Sequence, residues 1–476
     1  MTSKSFNNKV KLNDIVSVTD FGAVGDGVTD DTAAIQAALA ASLHVVFPEG
    51  DYIITSALTL RDYHNVEGLA GRGGSNIYAT GCSVFTGNGA EQISIKNFRL
   101  YGDETAGTFG VYIYNCPRGA HLESIYADNF GDTTYDGTLG TTSGAGFKLE
   151  FECWGSRLIG LAAERCAAGI ILDSASASAI IAGSVRQNGG PALVLRGCNG
   201  TSVNGGVFEK AQPAYGAVAT KGYSVQVLDS NNISLSGVYT EQSIDGAIKV
   251  DGSENVTISS CLMDGVNTSV EFGLLYLKNS TNVTCASCYI EGLDSSLGPG
   301  KACIYVDATS SNNTFISNEL ERDGGVGSGN YTIYDLGSNN VYINNKGATG
   351  ARVGSTNTNL SGVYAQGPLI KSSRDALSQI TIAGGIVTVT GHYHSIATEG
   401  GASTDDLDTI NGGYDGQRVV FRAADTTDTV VVKHNTGNIR LQSGGDFSLD
   451  SWVDTVELIY DDSLSVWLEV GRTNIA

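Results

Sequence analysis

Short strings of alternating apolar and polar residues recur down most of this chain. GFKLE, GIILD, ALVLR, YSVQVLD, AIKVD, LLYLK and CIYVD place apolar side chains at every second position. Val225 and Val227, Ile248 and Val250, Leu275 and Leu277, and Ile304 and Val306 therefore share a face. A period of two predicts strands with that face against a core. A second family of strings follows these: QISIKNFRLYG, HLESIYADN, RLIGLAAER, IIAGSVRQN, SVNGGVFEK, NISLSGVYTEQ, NVTISSCLMDG, NVTCASCYIEG and NTFISNELERDG. Laid one over another, they align Tyr101, Asp128, Glu164, Gln187, Glu209, Glu241, Asp264, Glu291 and Glu321, at separations of 22 to 36 residues and roughly 27 on average. Variable lengths around a constant strand core predict loops inserted at one corner of each coil, whereas helical repeats would carry a period of 3.6.

Two or three short strands per repeat, β-branched residues at the inward positions, and Asn232, Asn255, Asn282 and Asn312 at the turns together predict an all-β chain built as a right-handed parallel β-helix. A propeller is the competing architecture, but its blades need about 40 residues each. Val250, Ile258, Cys261, Met263, Leu277 and Cys288 are the expected core. The pattern also divides the chain. Residues 1–15 form a leading segment, and 16–60 hold a glycine and aspartate-rich turn with a short amphipathic helix, TAAIQAALAAS, capped by Asp30 or Asp31. A solenoid end exposes its core, and such a helix covers it. Residues 61–350 carry the repeats, 351–378 read as a linker, and 379–476 form a strand-rich, β-sandwich-like unit. Ile380, Ile382, Val387, Val389, Val430, Val432, Leu458 and Trp467 leave that small unit little room to bury its apolar side chains alone, which predicts assembly through it.

Composition narrows the function. Sixty-two glycines with only 6 prolines suit many tight turns rather than a disordered chain, and no apolar run is long enough for a membrane span. The leading residues lack the apolar stretch of a secretory signal, so synthesis in a cytosol without general export is expected. Fifty acidic against 28 basic residues give a net charge of −22, which argues against nucleic acid as a partner and against a strongly anionic substrate unless a local basic patch offsets it. The nine cysteines read as small buried hydrophobes. Cys285-Ala-Ser-Cys288 has no second pair at zinc spacing.

VTDFGAVGDGVTDDTAAIQAAL followed by VVFPEGDYII, within residues 16–60, resembles the N-terminal signature of the pectate-lyase-like superfamily, which includes polygalacturonase-type enzymes and phage tailspikes. The stretch from GHYHSIATEGG to VWLEVGRTN is similar to the terminal domain of phage tailspikes and tail fibres. These resemblances imply a homotrimeric virion tail protein, made in the host cytoplasm and acting outside it. It would bind and depolymerise a bacterial capsular or O-antigen polysaccharide and contact other tail or baseplate proteins. The 15 leading residues or another protein would supply attachment. The polygalacturonase motifs Asn-x-Asp, Asp-Asp, Gly-His-Gly and Arg-x-Lys have no counterpart, so no family catalytic residue carries over. The C-terminal unit is then a trimerisation or carbohydrate-binding domain. A non-catalytic receptor-binding fibre and a polysaccharide lyase remain open alternatives.

Glycoside hydrolysis needs one carboxyl group to protonate the leaving oxygen and another to act as nucleophile or base. Glu209, Glu241 and Asp264 are the expected catalytic residues, because they fall at one phase of three consecutive repeats. A strand spacing of about 4.8 Å would put neighbours near retaining geometry and alternate rungs near inverting geometry. Stacked carboxylates would also raise one pKa. The plain alternative is a solvated edge of acids. Tyr239 and Tyr126, two positions before the column, are the expected sugar-binding aromatics, and the segment EKAQPAYGAVATKGY is the expected wall of the cleft. Asp128 and Glu164, beside an insertion carrying Asp132 and Asp136, offer a competing groove. A lyase would use Lys210, Lys249 or Tyr239 as base. His392 and His394, two apart in a predicted strand, would face one way and could meet their symmetry mates around a trimer axis, but no metal and no cofactor is expected.

Overall fold

The computed structural model describes residues 15–71, 73–131, 144–210, 222–241, 245–267, 272–293, 301–322, 331–347, 352–353, 358–360, 378–389, 391–413 and 415–475. It divides into two compact units, Met1–Leu369 and Ile370–Ala476. The first is a parallel β-solenoid whose strands stack in three rows. One row is a continuous sheet of 12 strands from Leu58–Leu60 to Arg352–Val353, and the other two rows share a 24-stranded sheet. Every strand pair in the three rows is parallel and joins equivalent positions of successive coils.

Register is set by burial. In the second row Ile95, Leu122, Leu158, Ile180, Val203, Leu235, Ile258, Cys285 and Phe315 pair in turn, each fully buried. A slip of one residue would turn that whole column to solvent. In the third row Leu100, Ala127, Ala163, Val185, Phe208, Thr240, Met263 and Ile290 do the same. The expected core residues Val250, Ile258, Cys261, Met263, Leu277 and Cys288 are all buried, and all nine cysteines are free thiols.

The corners explain the turn asparagines. Asn232, Asn255, Asn282 and Asn312 have φ of 55°, 56°, 56° and 58°, a left-handed conformation that asparagine tolerates better than other residues with a Cβ. Asn282→Ala is therefore expected to destabilise the solenoid by about 1 kcal/mol. Asn282→Gly should be nearly neutral, and denaturant midpoints of the two variants check the contrast. Beside the asparagines runs a buried serine ladder. The hydroxyls of Ser230, Ser253, Ser280 and Ser310 accept the backbone N–H of Cys198, Ser230, Ser253 and Ser280 at 3.1 to 3.2 Å. They satisfy backbone groups at the corner, where strand pairing ends and an unpaired donor would be costly.

The N-terminal helix, Thr32–Ala41, buries Ile35, Ala38 and Leu39. The two candidate caps divide the work. Asp30 accepts the Thr32 N–H at 3.0 Å, whereas Asp31 occupies the cap position without a side-chain cap bond. Buried Asp31 instead accepts the N–H groups of Val24 at 2.6 Å and Gly25 at 3.0 Å, pinning the glycine-rich turn ahead of the helix.

The second unit begins with parallel pairs, Ser378–Thr381 on Tyr393–Ala397 and Tyr393–Ala397 on Arg418–Ala423. It is closed by the antiparallel strands Thr455–Asp461 and Val466–Thr473. Ile382, Val387, Val389, Val430, Val432, Leu458 and Trp467 are buried, and Ile380 packs against them. The expectation that this unit lacks room for its apolar residues is thereby corrected: pairing in several sheets encloses them within one chain. His392 and His394 also depart from expectation. His392 lies ahead of its strand, exposed, with Nδ1 2.8 Å from the Arg418 carbonyl, while His394 is buried and accepts the Gly391 N–H at Nε2. They do not share a face.

Candidate functional site

In the third row the residue after each core position faces outward, and these residues form one column. Asp128 pairs with Glu164, Glu164 with Arg186, Glu209 with Glu241, and Asp264 with Glu291. Pairing of Val185 with Phe208 and of Thr240 with Met263 sets Arg186 before Glu209 and Asp264 after Glu241. The aligned Gln187 is a correction by one position. A bulge between Val185 and Asn188 leaves Gln187 left-handed at φ 52° and turns Asn188 inward, where it accepts the Cys166 N–H at 2.9 Å. Arg186 thus enters an otherwise acidic column. The signal was readable: Asp128-Asn129-Phe130 and Glu164-Arg165-Cys166 also run from column member to left-handed residue to buried corner residue.

Glu209, Glu241 and Asp264 are brought together on three consecutive rungs. Glu209 has only 19% of its side chain exposed, with Arg186 Nε 3.7 Å from Oε1. Burial pushes its carboxyl above the ordinary value; Arg186 opposes the rise, while the charge of Glu241 and a hydrogen bond shared with it add to it. Stacking like charges about 4.8 Å apart makes ionising Glu209 more costly. Tyr239 hydrogen-bonds Glu241, and burial followed by that bond pushes its hydroxyl up to about 12. Below Asp264 lies Gly292, left-handed at φ 86°, where an added Cβ would sit 2.8 Å from Asp264 Oδ1. The carboxylate fits because position 292 has no side chain.

Tyr126 is not part of this cluster. It shares the outward column of Tyr239, but Ala162, Ser184 and Val207 intervene. Four rungs separate the two rings by roughly 19 Å, so no single platform contains both. Tyr126 donates to Glu164 at 2.5 Å and lies under the Arg99 guanidinium, 4.6 Å from the ring centroid. In the competing groove Asp128 is 1% exposed and held by two bonds from Arg165, the one from Nε at 2.8 Å. That carboxylate is tied to a structural partner. Asp132, Asp136 and most of the expected cleft wall lie outside the described residues, as does the Lys210 side chain. Lys249 faces outward on the first row, 3.0 Å from Asp251. Among the described residues no three His, Cys, Asp or Glu side chains are grouped to hold a metal ion, and no helix is long and apolar enough to cross a membrane.

Two family models match this chain: "Rhamnogalacturonase A/epimerase, pectate lyase-like" over residues 15–138, and "Right handed beta helix region" over residues 168–361. The first unit is a right-handed parallel β-helix, and its early coils are similar to pectate-lyase-like proteins. Solved structures similar to this chain include DFA-IIIase from Arthrobacter chlorophenolicus A6 without its lid and in complex with GF2. It is 13% identical, over 74% of this chain and 100% of that one, with a TM-score of 0.51. Tailspike protein 3 of bacteriophage CBA120 is 13% identical, over 98% of this chain and 70% of that one, at 0.49. The A-module of the Azotobacter vinelandii mannuronan C-5 epimerase AlgE6 is 18% identical, over 73% and 98%, at 0.47. At 13% identity the likeness to DFA-IIIase is one of fold alone. A curated relative, the plasmin and fibronectin-binding protein A of Streptococcus pneumoniae, is 41% identical over 58 residues; the match spans 11% of the β-helix chain and 8% of that protein's length.

Proposed function

We propose that this β-helix is a phage tailspike that binds a bacterial surface polysaccharide, capsule or O-antigen, and depolymerises it by glycoside hydrolysis on the outer face of the third row. The observation that carries the reading is the Glu209–Glu241 pair on adjacent rungs, with the Glu209 carboxyl raised by burial and by its neighbour. Glu209 is then the general acid that protonates the leaving oxygen. Glu241, one rung away, is the nucleophile of a retaining reaction, and Asp264, two rungs from Glu209, is the base if the reaction inverts. Tyr239 supports the sugar beside Glu241, while Tyr126 serves a more distant subsite. A tyrosine pushed up to about 12 stays protonated at neutral pH, which disfavours Tyr239 as the base of a lyase. Incubating the protein with host capsule and with lipopolysaccharide, then sizing the products, tests the reading. Shortened chains without a new ultraviolet-absorbing unsaturated end support hydrolysis; binding without shortening leaves the receptor-binding fibre.

The same reading includes a homotrimer and attachment to other virion tail or baseplate proteins. Support for assembly comes from the resemblance of the C-terminal stretch and from Trp452, Val453 and Leu464, which remain exposed on that unit. Removing residues 370–476 is expected to leave a folded monomer by light scattering. A trimer that survives the deletion would assign the contacts to the solenoid.

A further inference from the structure

A second site lies away from the acid column, on the flank of the early coils. A cavity of about 440 Å³ opens there, lined by residues from four consecutive coils. Its lining includes Lys96, Arg118, His121, Arg157 and His64 and contains no aspartate or glutamate, in a chain with 50 acidic against 28 basic residues. His64 is turned away toward the capping helix, with Nε2 3.0 Å from the Leu39 carbonyl. The other four are held from behind or stand open. Glu123 lies 3.3 Å from Lys96 Nζ and 3.0 Å from His121 Nε2, and Glu91 lies 3.3 Å from Arg118 Nε. Arg118 also donates from Nη1 to the Tyr63 hydroxyl at 3.1 Å, while Tyr63 donates to Glu91 at 2.9 Å. Arg157 is exposed and has no ion-pair partner among the described residues. Glu67, which pairs with Lys96 on the adjacent strand, and Asp62, which accepts the Glu91 N–H at 3.0 Å, complete a surround of carboxylates, so the basic groups are those that line the cavity and the acids stand outside its lining.

The shape selects more than a bare anion. Asn65, Ser94, His121 and Arg157 pair in register on four successive strands of the second row, forming a hydrogen-bonding stripe roughly 14 Å long. We infer that this cavity seats a segment of acidic glycan, with the oxyanion of one sugar on Arg157 and Arg118 and neighbouring hydroxyls along the stripe. The oxyanion is a carboxylate or a phosphate ester, both of which the planar guanidinium fork matches. The net charge of −22 repels such a chain at a distance, and the Arg118 and Arg157 guanidiniums in the acid-free lining supply the contact that holds it. The inference takes from the proposed function only that the ligand is a carbohydrate.

Calorimetric titration of the full-length protein tests it with four probes: a galacturonic acid hexamer, mannose 6-phosphate, a galactose hexamer and inorganic phosphate. At least one acidic sugar is expected to bind tenfold or more tighter than the galactose hexamer and than phosphate alone, and which one binds tells carboxylate from phosphate. The Arg118→Gln/Arg157→Gln variant should weaken that binding at least tenfold. Arg157→Gln alone, at an exposed side chain, should weaken it severalfold with an unchanged melting temperature. Glu209→Gln should bind as the unmodified protein does, which separates this site from the proposed cleavage site. The inference is overturned if neither acidic sugar binds at millimolar concentration, if the neutral hexamer or phosphate binds as tightly, or if Arg157→Gln changes nothing.

Discussion

Glu209→Gln is expected to lower polysaccharide cleavage by two to four orders of magnitude while leaving the melting temperature and oligomeric state unchanged. Glutamine keeps the shape of the side chain but cannot give up a proton to a leaving oxygen, and loss of a general acid typically costs that much. The companion variants read the stereochemistry. If the reaction retains configuration, Glu241→Gln should be equally damaging and Asp264→Asn mild; if it inverts, the order reverses. The pH profile has a determined sign. The active form of Glu209 is the protonated one, and its carboxyl lies above the ordinary value, so kcat/KM should fall as pH rises through that raised pKa. Arg186 stabilises the ionised form, and Arg186→Gln should therefore move the descending limb to higher pH. Near-full activity in all three carboxylate variants would reduce the column to a solvated edge.

The second large effect is expected at Arg165. Arg165→Ala leaves the Asp128 carboxylate, 1% exposed, without its two guanidinium bonds. Breaking a buried pair from one side costs about 3 to 5 kcal/mol, and the lower end applies because the guanidinium itself is partly solvated. Asp128→Asn combined with Arg165→Met should recover most of the loss, since no buried charge then remains. Denaturant midpoints measure both. Cleavage by folded Arg165→Ala below its melting range should stay within a few-fold of the unmodified protein. A large loss of activity with unchanged stability would instead place the chemistry around Asp128 and Glu164.

The solenoid was readable because its two strongest signals are local. Alternation at Val225 and Val227, or Ile248 and Val250, states which side of a strand meets the core, and stacking equivalent strands then leaves one register that buries every rung. Asparagines with positive φ mark corners for an equally local reason, the steric cost of a left-handed residue. The acid column followed from the same periodicity, since an outward residue beside a core residue keeps its phase from coil to coil. Reading failed at one rung. IIAGSVRQN starts one residue late, since Ala179 and not Ile180 pairs with Arg157 at the head of the strand, and the slip sets neutral Gln187 in the place of Arg186, the cation that tunes Glu209.

What the sequence determined by itself is therefore the rung: strand phase, inward and outward faces, corner residues and the capping helix, all properties of a few neighbouring residues. What only the tertiary structure decided is how far apart equivalent positions lie, and with what neighbours. Tyr126 and Tyr239 occupy the same phase, yet four rungs separate them. Lys96, Arg118, His121 and Arg157 share no motif, yet coiling brings them around one cavity in an acidic protein. Pairing energy acts between adjacent strands and fixes phase locally, whereas electrostatics and ligand shape depend on distances summed over several coils, and each inserted loop changes the chain length between rungs without changing their spacing.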